Sequence, residues 1–260
     1  MTFDDFLMTG KIRCKMSDYQ RKRDKAVEIA AAALAQHNKA YVSVSGGKDS
    51  IVCACIADVA ARVTGNDIVL WAHVSDASFP GTEETIRALA HQLGREVVIN
   101  SSAGSAFDAL RETKERRAFG KTGVFFDAIR DWVQTSGCDL CFTGVRAYES
   151  KRRMQAAKAH GATFSSRAGG NVDVCNPITW FRLEDVAAAL VEYNAPIHPI
   201  YRKTAIGTAQ NKFGEDGFIR LGYITSRDLL NKGTAVFIRL NYPYQWQKLC
   251  EAWPDIKNYC

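Results

Sequence analysis

The segment Ser45-Gly46-Gly47-Lys48-Asp49-Ser50 constrains this chain more than any other. It follows Ala40-Tyr41-Val42-Ser43-Val44, short and β-branched as a strand requires. It leads into Ile51-Val52-Cys53-Ala54-Cys55-Ile56-Ala57, an apolar run that reads as a buried helix holding Cys53 and Cys55 in the core. In a strand–loop–helix unit of this kind, glycines let the backbone turn tightly and approach a phosphate. The loop amides and the helix N-terminus then offer aligned donors to oxyanions. Lys48 adds a point charge, Asp49 can hold Mg²⁺ or fix the loop, and Ser45 and Ser50 supply hydroxyls. The loop therefore points to ATP or a close adenosine relative.

The same alternation continues along the chain. Residues 18–37 read as an alanine-rich helix behind a Ser/Asp cap, 67–74 as a second strand, 81–93 as a helix, 96–99 as a third strand, 125–133 as a helix and 140–143 as a strand. Between them, 111–121 is basic and reads as a mobile stretch. Strands alternating with helices predict an α/β fold, a parallel twisted sheet with helices on both faces. Ligands of such sheets sit at the carboxyl ends of strands, and 45–50 and 143–153 both begin there. Beyond 165 the pattern loosens: 167–171 reads as a turn, 183–193 as a helix, 196–201 as extended. The expected organisation is an N-terminal helical segment (1–37), a nucleotide-binding α/β domain (38–205) and an irregular C-terminal extension (206–260) lying across the site.

With 47% hydrophobic and 24% charged residues the composition is that of a soluble globular protein. No apolar run approaches the roughly 20 residues that span a bilayer, and the first residues carry no secretory pattern. The expected setting is cytoplasmic, without membrane. Eight cysteines are too sparse for a disulfide scaffold. The net charge of +6 suits a polyanionic substrate, a nucleotide first, and accommodates nucleic acid.

The second chemically loaded segment is Thr143-Gly144-Val145-Arg146-Ala147-Tyr148-Glu149-Ser150-Lys151-Arg152-Arg153. Arg146, at a strand end beside Gly144, can reach a phosphate bidentately. Glu149 can hold an arginine in place, and Arg153 adds a further anion contact. His73 ends the second strand and reads as a satisfied strand-end histidine. Asp76, just beyond it, is placed to join Asp49 near metal or ribose.

The loop resembles the signature of the PP-loop ATP pyrophosphatases, which cut between the α and β phosphates, and differs from the G-x-x-x-x-G-K-[ST] loop. The 143–153 spacing resembles the G-[LI]-R-x-x-E-S-x-x-R segment of the 3′-phosphoadenylylsulfate (PAPS) reductase-like branch. Asn176-Pro177-Ile178-Thr179-Trp180, Glu184-Asp185-Val186 and His198-Pro199-Ile200-Tyr201 resemble that branch's remaining motifs, in order. The resemblance spans about 40–202. It implies an adenine nucleotide alpha hydrolase-like fold, ATP and Mg²⁺ as ligands, Lys48, Asp49 and Arg146 as catalytic residues, and Ser45 to Ser50, Asp76, Gly144, Arg146 and Arg153 as the nucleotide site.

The chain departs from these relatives in its cysteines. The Glu-Cys-Gly-x-His tail of PAPS reductases is missing, since the chain given ends Asn258-Tyr259-Cys260. Where iron–sulfur members carry Gly-Cys-x-x-Cys, Tyr223 and Ser226 stand. Neither ligates iron as a thiolate does, so a cluster is not expected there. Cys138 and Cys141 form one CxxC, half a tetrahedral metal site, and read as a sulfur relay or as plain packing, the commoner fate. Cys260 reads as a mobile nucleophile or as incidental. Three functions follow from the resemblance: AMP-forming activation of an oxygen for sulfur transfer, as in DNA phosphorothioation with a cysteine desulfurase partner; PAPS or adenylylsulfate reduction; and a non-catalytic nucleotide-binding subunit.

Overall fold

A computed structural model describes residues 2–101, 105–115, 123–166, 172–203, 221, 229 and 233–259. Helices α1 (Phe3–Arg13) and α2 (Ser17–Leu34) precede β1 (Ala40–Ser43) and α3 (Lys48–Thr64). Then come β2 (Ile68–Val74), α4 (Thr82–Leu93), β3 (Val97–Ser101), α5 (Ala106–Glu115), α6 (Gly123–Ser136) and β4 (Leu140–Phe142). The chain continues through α7 (Lys151–His160), β5 (Thr163–Ser166), β6 (Val172–Cys175), α8 (Leu183–Glu192), α9 (Ile200–Lys203), α10 (Thr234–Asn241) and α11 (Pro243–Ala252).

The strands form one sheet in the order β3-β2-β1-β4-β6-β5. Every pairing is parallel except β5 against β6. From β1 the chain first winds towards β3 and later returns to place β4 on β1's other side. The strand order thus reverses between β1 and β4, and the loops leaving these strands open a crevice. Those loops are 44–47 and 143–146, the two segments that carry the most chemistry in the sequence.

Burial explains the local patterns. In α3 the continuous run Ile51–Ala57 is buried throughout, as a helix apolar on every side must be. It is covered by the sheet, by α2 and by α8, and β1 itself is almost wholly buried. Helices α1 and α2 share this core through Phe6, Tyr19, Ala26 and Ala30. They are also tied to α8: Asp185, fully buried, accepts Arg13 Nη2 at 2.7 Å and Lys22 Nζ at 2.6 Å, and Tyr19 donates to Glu192 at 2.6 Å.

Four local expectations change. The helix read over 18–37 ends at Leu34, because the next amides turn back in tighter bonds (Gln36 N–H to Ala33 O, His37 N–H to Leu34 O). Residues 111–115 belong to α5 rather than to a mobile stretch, and the rest of that stretch up to Lys121 lies outside the described residues. Residues 200–201 begin α9 instead of continuing an extended segment, since the Ile200 N–H donates to His198 Nδ1 at 3.0 Å and closes a turn. Residues 163–166 and 172–175 pair as strands; the turn read over 167–171 lies outside the described residues. Of the C-terminal sixty residues, the described part is helical, and α11 packs against α5. No helix among the described residues is long and apolar enough to cross a membrane.

Candidate nucleotide site

Gly46 adopts φ +75°, the left-handed conformation that side-chain-bearing residues avoid, and its neighbour Gly47 caps α3. The loop is braced from within: Ser45 N–H donates to Ser50 Oγ at 3.2 Å, and Ser50 Oγ donates to Gly47 O at 2.9 Å. From outside, the Tyr201 hydroxyl accepts the Lys48 N–H at 3.0 Å. The first turn of α3, with its partial positive charge, is thereby fixed at the crevice.

The loop after β4 meets it at backbone distance. A Cβ placed on Gly144 would lie 2.5 Å from both the carbonyl carbon and oxygen of Asp49; only glycine allows this approach. Thr143 donates to Asn176 Oδ1, and Ala147 N–H to Thr179 O at 2.8 Å, so the segment after β6 holds the segment after β4.

At the junction, Asp49 joins both loops. Its Oδ2 accepts Lys48 Nζ at 2.6 Å and its Oδ1 accepts Arg146 Nε at 2.7 Å. Arg146 is fully buried and also donates to Phe181 O at 3.2 Å. Burial by itself would raise the Asp49 pKa; the Arg146 guanidinium and the Lys48 ammonium outweigh it and hold the carboxyl well below the usual carboxylate range. Two cations against one carboxylate leave one net positive charge at a helix N-terminus in a water-poor crevice, where electrostatic attraction is strong. Glu149 accepts the Arg146 N–H at 3.1 Å and pairs with Arg153, as its role in holding an arginine requires.

The structure therefore brings together Ser45, Gly46, Gly47, Lys48, Asp49, Ser50, Gly144, Arg146 and, through Glu149, Arg153. Asp76 stands apart. Its Oδ1 accepts the Ala106 N–H at 2.7 Å and its Oδ2 the Ser105 hydroxyl, holding the start of α5. No described bond or ion pair links it to Asp49. His73 is not the satisfied histidine expected: its Nε2 is buried with no hydrogen-bond partner among the described residues, and burial lowers its pKa.

His198 is the contributor that residue-level reasoning missed. Its Nδ1 accepts the Ile200 N–H, and its Nε2 lies 3.0 Å from Thr82 Oγ1, which itself donates to Phe79 O. The neutral tautomer with Nε2–H satisfies the whole chain, and burial brings its pKa down to about 4. His198 thereby carries Tyr201 to the loop. Its only signal in the sequence was its place in the His-Pro-Ile-Tyr motif.

Cys138 and Cys141 are buried in the apolar cluster of Tyr41, Trp71, Ile129, Val133 and Val172. Burial pushes the Cys141 thiol up to about 12 and raises Cys138. Both thiols are held protonated in this state, and only thiolates are good nucleophiles. Cys260, Tyr223 and Ser226 lie outside the described residues. The nucleotide fits the donor set at the crevice: a helix N-terminus, Lys48 and Arg146. No group of three or more His, Cys, Asp or Glu among the described residues could hold a metal ion unaided. A Mg²⁺ at Asp49 would have to share phosphate oxygens and water, as this ion commonly does.

This fold and site have known counterparts. Residues 39–227 match the phosphoadenosine phosphosulfate reductase domain family, and the chain belongs to that family. The sheet with its surrounding helices is the adenine nucleotide alpha hydrolase-like fold. Among solved structures it is similar to phosphoadenylyl-sulfate (PAPS) reductase from Candida auris in a phosphate complex (16% identity, 76% of this chain and 90% of that one, TM-score 0.51). It is also similar to the U34-tRNA thiolase NcsA from Methanococcus maripaludis with its [4Fe-4S] cluster (12% identity, 92% and 77%, TM-score 0.55). A third is Candida glabrata FMN adenylyltransferase in complex with FMN and an ATP analog (12% identity, 78% and 68%, TM-score 0.56). At these identities the likeness is one of fold. No curated protein matches the chain by sequence.

Proposed function

We propose that this chain is an ATP pyrophosphatase that activates an oxygen for sulfur transfer in nucleic-acid thiolation, DNA phosphorothioation being the favoured setting. The observation that carries the reading is the junction of Lys48, Asp49 and Arg146 at the N-terminus of α3, where the strand order reverses. Bound ATP supplies an electrophilic α-phosphorus with pyrophosphate as its leaving group. An acceptor oxygen forms the new P–O bond as the bond to pyrophosphate breaks; a cysteine desulfurase persulfide then attacks the acceptor atom that bears this oxygen, AMP leaves with the oxygen, and a thiol reductant cleaves the remaining S–S bond. Lys48, Arg146 and the amides of α3 neutralise the charge that grows on the phosphates. Asp49 orients both cations and offers a carboxylate to Mg²⁺.

Reduction of an adenylylated sulfate needs a reactive thiol. The buried, protonated Cys138 and Cys141 give that alternative no support, and a non-catalytic subunit would use the same junction for binding alone. Incubation with ATP and Mg²⁺, with and without DNA, distinguishes the three. Pyrophosphate, not free phosphate, is expected, and its release should be abolished in Asp49→Ala. Sulfite release from PAPS that disappears in Cys260→Ser would replace this reading with reduction, and nucleotide binding without turnover would replace it with the subunit role.

A further inference from the structure

Helix α7 begins directly after Ser150, beside the site, and is rich in basic residues. Lys151, Arg152, Lys158 and His160 are exposed on it, and it contains no acidic residue. On several other helices exposed basic side chains pair along their own helix: Arg87 with Glu83 at 2.7 Å, Lys25 with Glu28 at 2.9 Å, Arg130 with Asp127 at 3.0 Å, Lys248 with Glu251 at 3.1 Å. Lys151, Arg152 and Lys158 make no ion pair among the described residues. Lys151 and Arg152 also stand in the first turn, where the helix end is already positive and cations are disfavoured. An anion lying against this first turn would offset that cost.

An aromatic cluster adjoins the helix. Trp180 is 39% exposed, a large fraction for an indole, and meets Tyr148 edge-on with centroids 6.4 Å apart. The Arg182 guanidinium lies over the Tyr148 ring at 4.7 Å. Both aromatics ride on the segments that hold Arg146: Tyr148 is two residues beyond it, and Phe181 O, next to Trp180, accepts its Nη1. Unpaired cations beside an open aromatic face are the recognition chemistry of a single-stranded polynucleotide, with phosphates on the cations and a base on the ring.

We propose that α7 and the Tyr148–Trp180–Arg182 cluster form a docking surface for a single strand of DNA leading to Arg146. The choice of DNA rests on the proposed acceptor; the choice of a polyanionic strand rests on the charge and the exposed indole. The surface lies outside the Lys48–Asp49–Arg146 junction, so the two can be disabled separately.

Anisotropy titrations of the full chain with a short labelled single-stranded DNA, the same sequence as RNA, and a polyglutamate peptide test this. DNA should bind, with an affinity that falls as salt rises. The combined substitution Lys151→Ala, Arg152→Ala, Lys158→Ala should weaken binding at least tenfold and flatten the logarithmic salt slope by about 2, at roughly 0.7 per lost phosphate contact. Trp180→Ala should weaken it about tenfold through lost stacking, and Trp180→Phe should restore most of that. Unchanged affinity and slope in the triple variant, no DNA binding at all, or tighter binding of RNA or polyglutamate would each overturn the proposal. Pyrophosphate release without DNA should be equal in wild type and triple variant. If wild type releases none even with DNA present while DNA binding still tracks these residues, the enzymatic reading falls and the surface stands.

Discussion

Two places in this molecule use the same three charges, one aspartate between two cations, in opposite ways. At the anchor of the N-terminal helices, Asp185 is fully buried while Arg13 and Lys22 keep 14% and 32% of their side chains exposed. At the crevice the burial is inverted: Arg146 and Lys48 are 0% and 7% exposed, and Asp49 is the more open member at 19%. In the anchor the carboxylate has no spare surface, so its bonds can only join α8 to α1 and α2. In the crevice the desolvated partners are cations, which remain short of negative charge until an anion arrives. Which sign is buried is the difference on which the proposed nucleotide binding turns.

The sharpest way to break this comparison is to remove one cation from each. Arg146→Ala or Lys48→Ala should lower the rate of pyrophosphate release about 100- to 1000-fold, the usual effect of deleting one preorganised charge donor. Arg146→Lys should recover little, because the bond to Phe181 O and the planar fork are lost. Arg13→Ala should leave the rate within about twofold. Equal losses at both places, measured as kcat/KM for ATP, would show that the crevice is structural too.

Gly144→Ala comes next. The added methyl must displace the Asp49 backbone, and overpacking of this kind costs about 1–3 kcal/mol. Since the displaced atoms carry the carboxylate that joins both loops, nucleotide affinity should fall with stability, read by calorimetry and thermal melting on one preparation. Retained affinity would mean that the approach of the two loops does not shape the site. Asp185→Ala should show the reverse division. It leaves Lys22 unpaired and Arg13 with Asp18 alone, and the partial exposure of both cations limits the loss to about 2 kcal/mol, below the roughly 3–5 of a fully buried pair. Tm should fall by about 4–8 °C with ATP affinity unchanged.

The crevice was far more legible in the sequence than the anchor. Gly46, Lys48 and Asp49 lie within one loop, and loop chemistry is local: a glycine needed for a tight turn, a charge beside it, a strand before and a helix after. Arg146 was found because it follows a strand end beside a glycine. The alternation of elements likewise predicted the parallel sheet. What the sequence could not show was pairing at a distance. Asp185 meets Arg13 and Lys22 only because α1, α2 and α8 share one core. The bonds of Asp76 to Ser105 and Ala106 were equally hidden, since they join the end of β2 to the start of α5. The helix turn at 200–201 was hidden because the acceptor that starts it is the side chain of His198. Strands β5 and β6 are short, and their pairing across the 167–171 segment carries no periodic signal.

His198 gives the subtlest test, since it is structural in its own bonds and serves the crevice through Tyr201. A free histidine titrates near 6.5, whereas burial holds His198 neutral down to about 4. Between those values the unfolded chain binds a proton that the folded chain refuses, so stability is greatest above pH 6.5 and declines as pH falls towards 4. Protonation would also turn Nδ1 into a donor facing the Ile200 N–H and so break the turn that starts α9. Glutamine can accept from Ile200 and donate to Thr82 without titrating. His198→Gln should therefore melt within a few degrees of wild type at pH 7.5 and show a shallower decline in Tm between pH 6.5 and 4.5. The remaining slope would belong to groups such as His73, whose pKa burial also lowers. Parallel curves for the two proteins would place the acid sensitivity elsewhere. A flattened curve accompanied by weaker ATP binding at pH 7.5 would show that the imidazole also sets the position of Tyr201 against Lys48.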